Sequence, residues 1–159
     1  MALFVGEFDQ TVDDKRRLAI SSALREQIEP AVDGEGFYLV LGADRHLWMY
    51  PDRYYQRLTA TLKRSPLPTR SSQKLGLFFA MARHLKPDSQ GRVVLPEKSM
   101  QRAVVAQEVT LVGHDDHVEI WPRDEWERHV EAMLPTYGEA LLEAGERLAS
   151  GQFDIEPLS

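Results

Sequence analysis

The chain has 159 residues and a mass of 18.2 kDa, with 43% hydrophobic and 28% charged residues, enough for one ordinary domain or two small half-domains sharing a core. It contains no cysteine, which excludes disulfides, thiolate zinc sites, iron–sulfur clusters and a cysteine nucleophile. Its net charge of −6 is uneven: residues 1–102 carry 16 Lys and Arg against 12 Asp and Glu, and residues 103–159 carry 3 against 13. The acidity is a C-terminal property, and a local basic face is compatible with it, because Lys63, Arg64, Arg70, Lys74, Arg83 and Lys86 occur with no acid among them. No apolar run approaches the roughly 18 residues of a membrane span, and Met1 to Glu7 lacks the basic flank of a secretory signal. A cytoplasmic protein with no membrane partner is expected.

The elements come in two similar series. Val12 to Ile20 aligns with Pro87 to Leu95, placing Asp13 on Asp88 and Arg17 on Arg92, and a later match places Gly42 on Gly113 and Tyr50-Pro51 on Trp121-Pro122. The two spacings differ by four residues, and the turn-rich Glu29 to Gly36 is where the first copy accommodates them. Each copy reads as strand, tight turn, strand, short helix, hairpin and helix. In chain order, Asp13 to Arg16 is the first turn, and Ser21-Ser22 caps the short helix after it. Phe37 to Leu41 and Leu47 to Tyr50 flank a Gly-containing loop, and Pro51-Asp52 opens a helix with Tyr54, Leu58 and Leu62 on its apolar stripe. Ser71 to Ala82 is a further helix. Asp88 to Gly91 is the second turn, where glycine takes the positive φ that Arg16 has to bear in the first. Val109 to Val112 and Val118 to Trp121 form the second hairpin, followed by a helix carrying Trp126, Val130, Met133 and Leu134, then another from Tyr137 to Ala149 and a loose tail from Gly151. The expected organisation is a first half-repeat (1–64), a helical connector (65–80), a second half-repeat (81–134) and an acidic C-terminal helix and tail (135–159).

Catalytic chemistry has little to stand on. Ser21-Ser22 has no Gly-x-Ser-x-Gly context, and there is no phosphate-binding or dinucleotide-binding glycine loop. No catalytic residue and no cofactor are assigned, and the chain is expected not to be an enzyme. His114-Asp115-Asp116-His117 contains metal-ligand residue types, but four consecutive residues of a hairpin loop do not converge easily on one ion, and no third ligand recurs with the matching His46 and His117. A polar turn is the reading, and no metal is assigned; a small hydrolase using His114, Asp115 and His117 has no nucleophile to support it. The twice-repeated Asp-x-x-x-Arg turn is the strongest constellation. One copy would be a structural clamp, whereas two related by an internal pseudo-two-fold present repeated cations suited to phosphates and guanine edges.

These segments resemble the MraZ family, bacterial relatives of AbrB-type transcription factors. The resemblance is carried by Gly6-Glu7-Phe8, Asp13-Asp14-Lys15-Arg16-Arg17-Leu18, Tyr38-Leu39, Leu47 to Pro51, Asp88 to Pro96, Leu111-Val112-Gly113 and Val118 to Trp121, and covers about residues 3–134. It implies an α+β fold in which two tandem, pseudo-two-fold-related half-repeats, each AbrB-like, form a swapped-hairpin AbrB-type β-barrel with flanking helices, assembled into a ring of copies. It also implies binding to double-stranded DNA at promoter repeats upstream of the division and cell-wall gene cluster, with regulation of transcription there and association with the nucleoid. No small-molecule substrate is implied. The family's basic turn maps onto Asp13, Lys15 and Arg17 and onto Asp88 and Arg92. The expected DNA-binding residues are therefore Lys15, Arg16, Arg17 and Arg92, with Asp13, Asp88 and Gly91 supporting the turns. The chain departs from the usual Asp-x-Lys-Gly-Arg at Arg16 and Gln90, has Ser21 where the second copy has Pro96, and carries a longer acidic C-terminus. The alternative is an interaction scaffold that recruits a partner through the acidic helix from Tyr137.

Overall fold

A computed structural model of the chain describes residues 1–62 and 66–151; Lys63, Arg64 and the tail from Gln152 lie outside the described residues. The strands are β1 (Glu7–Thr11), β2 (Arg17–Ala19), β3 (Phe37–Leu41), β4 (Leu47–Pro51), β5 (Arg83–Leu85), β6 (Arg92–Val94), β7 (Glu108–His114) and β8 (His117–Pro122). The helices are α1 (Ser22–Arg25), α2 (Pro30–Asp33), α3 (Asp52–Leu62), α4 (Arg70–Lys74), α5 (Gly76–Met81), α6 (Glu97–Arg102) and α7 (Arg123–Ala149). The four-residue α2 stands between α1 and β3, whereas no helix stands between α6 and β7, so the extra residues of the first copy fall where the two spacings place them.

Six antiparallel strands form one sheet in the order β1-β7-β8-β4-β3-β5, and β2 pairs with β6 in a separate ribbon. The first strand of each half lies on the hairpin of the other: β1 on β7 and β5 on β3. The registers are symmetric under the repeat. Trp48 faces Glu119, its own equivalent, with Leu47 opposite Ile120 and Met49 opposite Val118; in the ribbon, Leu18 faces its equivalent Val93. The expected barrel is corrected in one respect. The sheet ends at β1 and β5, and the three-residue β2 and β6 pair with each other instead of bridging those edges, so the hydrogen bonding does not close.

Strand alternation divides the sheet into two faces. Phe37, Leu39, Leu47, Met49, Val109, Leu111, Val118 and Ile120 point to one side and pack with Leu18, Ile20, Leu24, Val93 and Leu95 from the ribbon and α1. The other side carries Val40, Tyr50 and Trp48, covered by Tyr54, Tyr55 and Leu58 of α3 and by Phe78.

Two helical expectations differ from the structure. Ser71 to Ala82 is split into α4 and α5 at Leu75-Gly76, where Leu75, with ψ near 0°, ends α4 and precedes α5 and glycine weakens helix continuity. Conversely, the helices expected on either side of Pro135 are one, α7, which runs through the proline. Proline removes one hydrogen bond, while Glu, Ala, Leu and Arg on both sides are strong helix formers. The chain divides into two compact units, Met1–Arg123 and the segment from Asp124 onward. Among the described residues no helix is long and apolar enough to cross a membrane.

Leu18 is fully buried where the ribbon crosses the pseudo-two-fold. Leu18→Ala is expected to lower the unfolding free energy by about 2–5 kcal/mol, measured by urea denaturation.

Candidate nucleic-acid interface

The two Asp-x-x-x-Arg turns fold alike. In the first, Asp13 Oδ1 accepts from the Lys15 amide (2.9 Å) and the Arg17 amide (2.8 Å), and Oδ2 accepts from Arg17 Nε at 2.6 Å. In the second, Asp88 Oδ1 accepts from the Gln90 amide (2.9 Å) and the Arg92 amide (3.0 Å), and Oδ2 from Arg92 Nε at 3.0 Å. A single carboxylate thus closes the turn and fixes the root of its arginine. The amide bonds from Arg17 and Arg92, with the guanidinium contacts, hold both Asp carboxyls below the ordinary 3.8. The Arg17 and Arg92 side chains remain 34% and 31% exposed, and Lys15 and Arg16 are exposed.

The ribbon brings the turns together. Antiparallel pairing puts Arg17 opposite Val94 and Arg92 opposite Ala19, so both arginines share the face opposite buried Leu18 and Val93. Strand spacings place their Cα atoms roughly 8 Å apart on the diagonal. Lys15 and Arg16 belong to the first turn, at one end of this face.

Arg16 has φ +61° and Gly91 φ +76°, so the left-handed position foreseen in each turn is present, costing roughly 1–2 kcal/mol at the arginine. Arg16 gains a contact in return: its Nε donates to the Leu95 carbonyl at 3.0 Å. The symmetry-equivalent carbonyl, Ile20, accepts at 2.9 Å from Arg25 Nε. A Cβ on Gly91 would lie 2.5 Å from that same Nε. Each strand end is therefore capped by a guanidinium, supplied by the turn itself in one half and by α1 in the other. The role of Arg25 was not read from the sequence; the signal available was that the repeat aligns Arg25 with Met100. Ser21 does stand at the N-cap of α1, but its hydroxyl accepts from Gln10 Nε2 at 2.9 Å and not from the helix.

A second polar cluster occupies the other face of the sheet. Buried His117 meets Asp116 Oδ1 through Nδ1 (2.6 Å) and Glu119 Oε2 through Nε2 (2.8 Å), and Trp121 Nε1 donates to Glu119 Oε1 at 2.9 Å. Burial opposes charge on His117, but the two carboxylates outweigh it and raise its pKa; burial likewise pushes Glu119 upward, and His117 and Trp121 bring it below its ordinary value. Burial, with Asp116 and Glu119 nearby, lifts the Tyr50 hydroxyl to about 12. The hairpin turn is tighter than its sequence suggested: His114 and His117 are paired strand residues, with Asp115 at φ +62° between them.

Comparison with known proteins defines the class first. The chain is 33% identical over 133 residues to the transcriptional regulator MraZ of Clostridium tetani, covering 83% of this chain and 90% of that one. It is 36% identical over 126 residues to that of Herpetosiphon aurantiacus (79% and 85%) and 34% identical over 143 residues to that of Moorella thermoacetica (89% and 95%). A family model described as "MraZ protein, putative antitoxin-like" matches residues 3–77 and again residues 78–135. The chain belongs to the MraZ family.

Two outcomes follow from the turn geometry. Gly91→Ala is expected to lower stability by about 1–2 kcal/mol through the positive φ, and further by displacing Arg25; the urea midpoint measures it. Because the Asp13 and Asp88 pKa values are depressed by folding, the stability they contribute is present above pH 3.8 and is lost as pH falls through the lowered values. Thermal melts between pH 2 and 6 should show an acid-side loss that is smaller in the Asp13→Asn, Asp88→Asn double variant.

Proposed function

We propose that this chain is a sequence-specific DNA-binding regulator of transcription without enzymatic activity, acting as a ring of copies on promoter repeats upstream of the division and cell-wall gene cluster, at the nucleoid. The observation that carries this reading is the pair of clamped turns with Arg17 and Arg92 on one exposed face; the names of the relatives support it. The rigid Asp clamp fixes the approach of each guanidinium, so that Arg17 and Arg92 reach phosphates and base edges with Lys15 and Arg16 assisting. Asp13, Asp88 and Gly91 keep the turns in shape. The swapped-hairpin ancestry of the fold is part of this reading, and the exchange of β1 and β5 between the halves supports it.

A second reading is favoured by α7. Its Trp126, Val130, Leu134, Tyr137, Leu141 and Leu148 recur at helical spacing, yet α7 has no buried residue. Such a stripe on an acidic helix suits a scaffold that recruits a partner.

Titration of the chain's own upstream DNA with the full-length protein should show log affinity falling steeply with log salt, by about 0.9 for each phosphate neutralised. The double substitution Arg17→Ala with Arg92→Ala should flatten that slope and abolish promoter preference, with subunit number by light scattering unchanged. Salt-independent binding would overturn the electrostatic mechanism. Deletion of residues 136–159 that leaves partner capture and oligomer size intact, while Arg92→Ala abolishes promoter binding, would exclude the scaffold.

A further inference from the structure

The tip of the β7–β8 hairpin gathers three metal-ligating side chains away from the basic turns. Ligand atoms of His114, His117 and Glu119 all lie within 4.8 Å of one another. His114 and His117 are the last cross-strand pair of the hairpin, with rings stacked 5.0 Å apart. Glu119 is two residues further along β8, so alternation returns it to the face of His117. His117 and Glu119 are buried, and His114 stands exposed at the rim.

The surroundings organise these groups as a ligand set. Asp116 engages Nδ1 of His117 and thereby directs Nε2 to Glu119 Oε2, and the Tyr54 hydroxyl in turn donates to Asp116 Oδ2 at 2.6 Å. The other oxygen of Glu119 is held by the Trp121 indole, leaving Oε2 for the site. A carboxylate behind a histidine and a hydrogen bond behind a ligating carboxylate are the outer contacts that orient metal ligands and raise their basicity.

We propose that His114, His117 and Glu119 form a binding site for a divalent transition-metal cation of the zinc type. The ligands are His117 Nε2, Glu119 Oε2 and an imidazole nitrogen of His114, with a water completing the shell. Two imidazoles and one carboxylate match zinc and its neighbours, whereas calcium and magnesium demand oxygen donors. The cation takes the place of the proton shared by His117 and Glu119. Bonds of about 2.0–2.2 Å set tetrahedral ligand atoms roughly 3.4 Å apart, so the shell closes when His117 Nε2 and Glu119 Oε2, 2.8 Å apart, part slightly around the ion and the exposed His114 rotates toward it. The cluster extends beyond the four-residue turn His114 to His117, into β8. The third ligand is Glu119, and Asp116 serves behind the shell.

The test uses the full chain with any affinity tag removed, stripped with chelator and titrated with zinc by calorimetry and with cobalt(II) by visible absorption. One equivalent per chain, cobalt bands of four-coordinate intensity and a zinc-dependent rise in melting temperature are expected. His114→Ala changes only an exposed side chain and should weaken binding more than about tenfold; Glu119→Gln, isosteric, should do the same. Asp116→Asn, which keeps all three ligands, should weaken zinc about 10–100-fold by releasing the His117 ring. Absence of stoichiometric uptake by the folded wild type, or uptake unchanged in both His114→Ala and Glu119→Gln, overturns the proposal. DNA affinity does not enter these measurements, so the result stands apart from the regulatory reading.

Discussion

The exchange of first strands between the halves, β1 onto β7 and β5 onto β3, is the constraint on which the rest of the structure depends. Without the exchange each hairpin would keep an open edge, and an exposed edge invites unwanted pairing. Crossing over supplies each hairpin with its missing neighbour and brings β4 against β8 through the Trp48–Glu119 pair. It also forces β2 and β6 together, because each follows an exchanged strand through a short turn. The basic turns lie near one another as a result of this topology, although 75 residues separate them in sequence.

The turns themselves are set by local electrostatics. An aspartate that accepts two amides and one guanidinium has little freedom left, and the arginine it holds pays less side-chain entropy on meeting an anion than a free one would. The cost is that part of each guanidinium's charge is already answered by its own carboxylate. Two such half-neutralised cations are a weak pair alone, and contacts of this strength sum to useful affinity only when they are repeated.

Much of this was legible in the sequence, for physical reasons. The turn at Asp88 to Gly91 and the positive φ at Arg16 follow from the backbone demands of a tight turn, and the hairpins follow from alternation bounded by glycine. What escaped reading came from contacts between distant residues. Arg25 sits in an ordinary helical sequence, and its hold on Ile20 appears only when α1 meets the second turn. Glu119 reads as a polar residue in an apolar strand; its neighbours His117 and Trp121 are two residues away on either side, so the spacing was visible, but the burial that gives it meaning was not. The passage of α7 through Pro135 goes against a single-residue penalty of about 3 kcal/mol, which the strong helix formers on both sides offset together.

The unequal origin of the two guanidinium caps makes the halves unlike in a way that their shared outline conceals. Paired with a copy of itself, the first half would thrust the Cβ of Arg16 into the space where Arg25 lies, since Gly91 leaves only 2.5 Å there. Paired with a copy of itself, the second half would offer Met100 where Arg25 stands, and its Leu95 carbonyl would lose its cationic donor. Only the mixed arrangement has one guanidinium for each carbonyl and room for both. In this chain the mismatch therefore favours contact between the two unlike halves over contact between like ones.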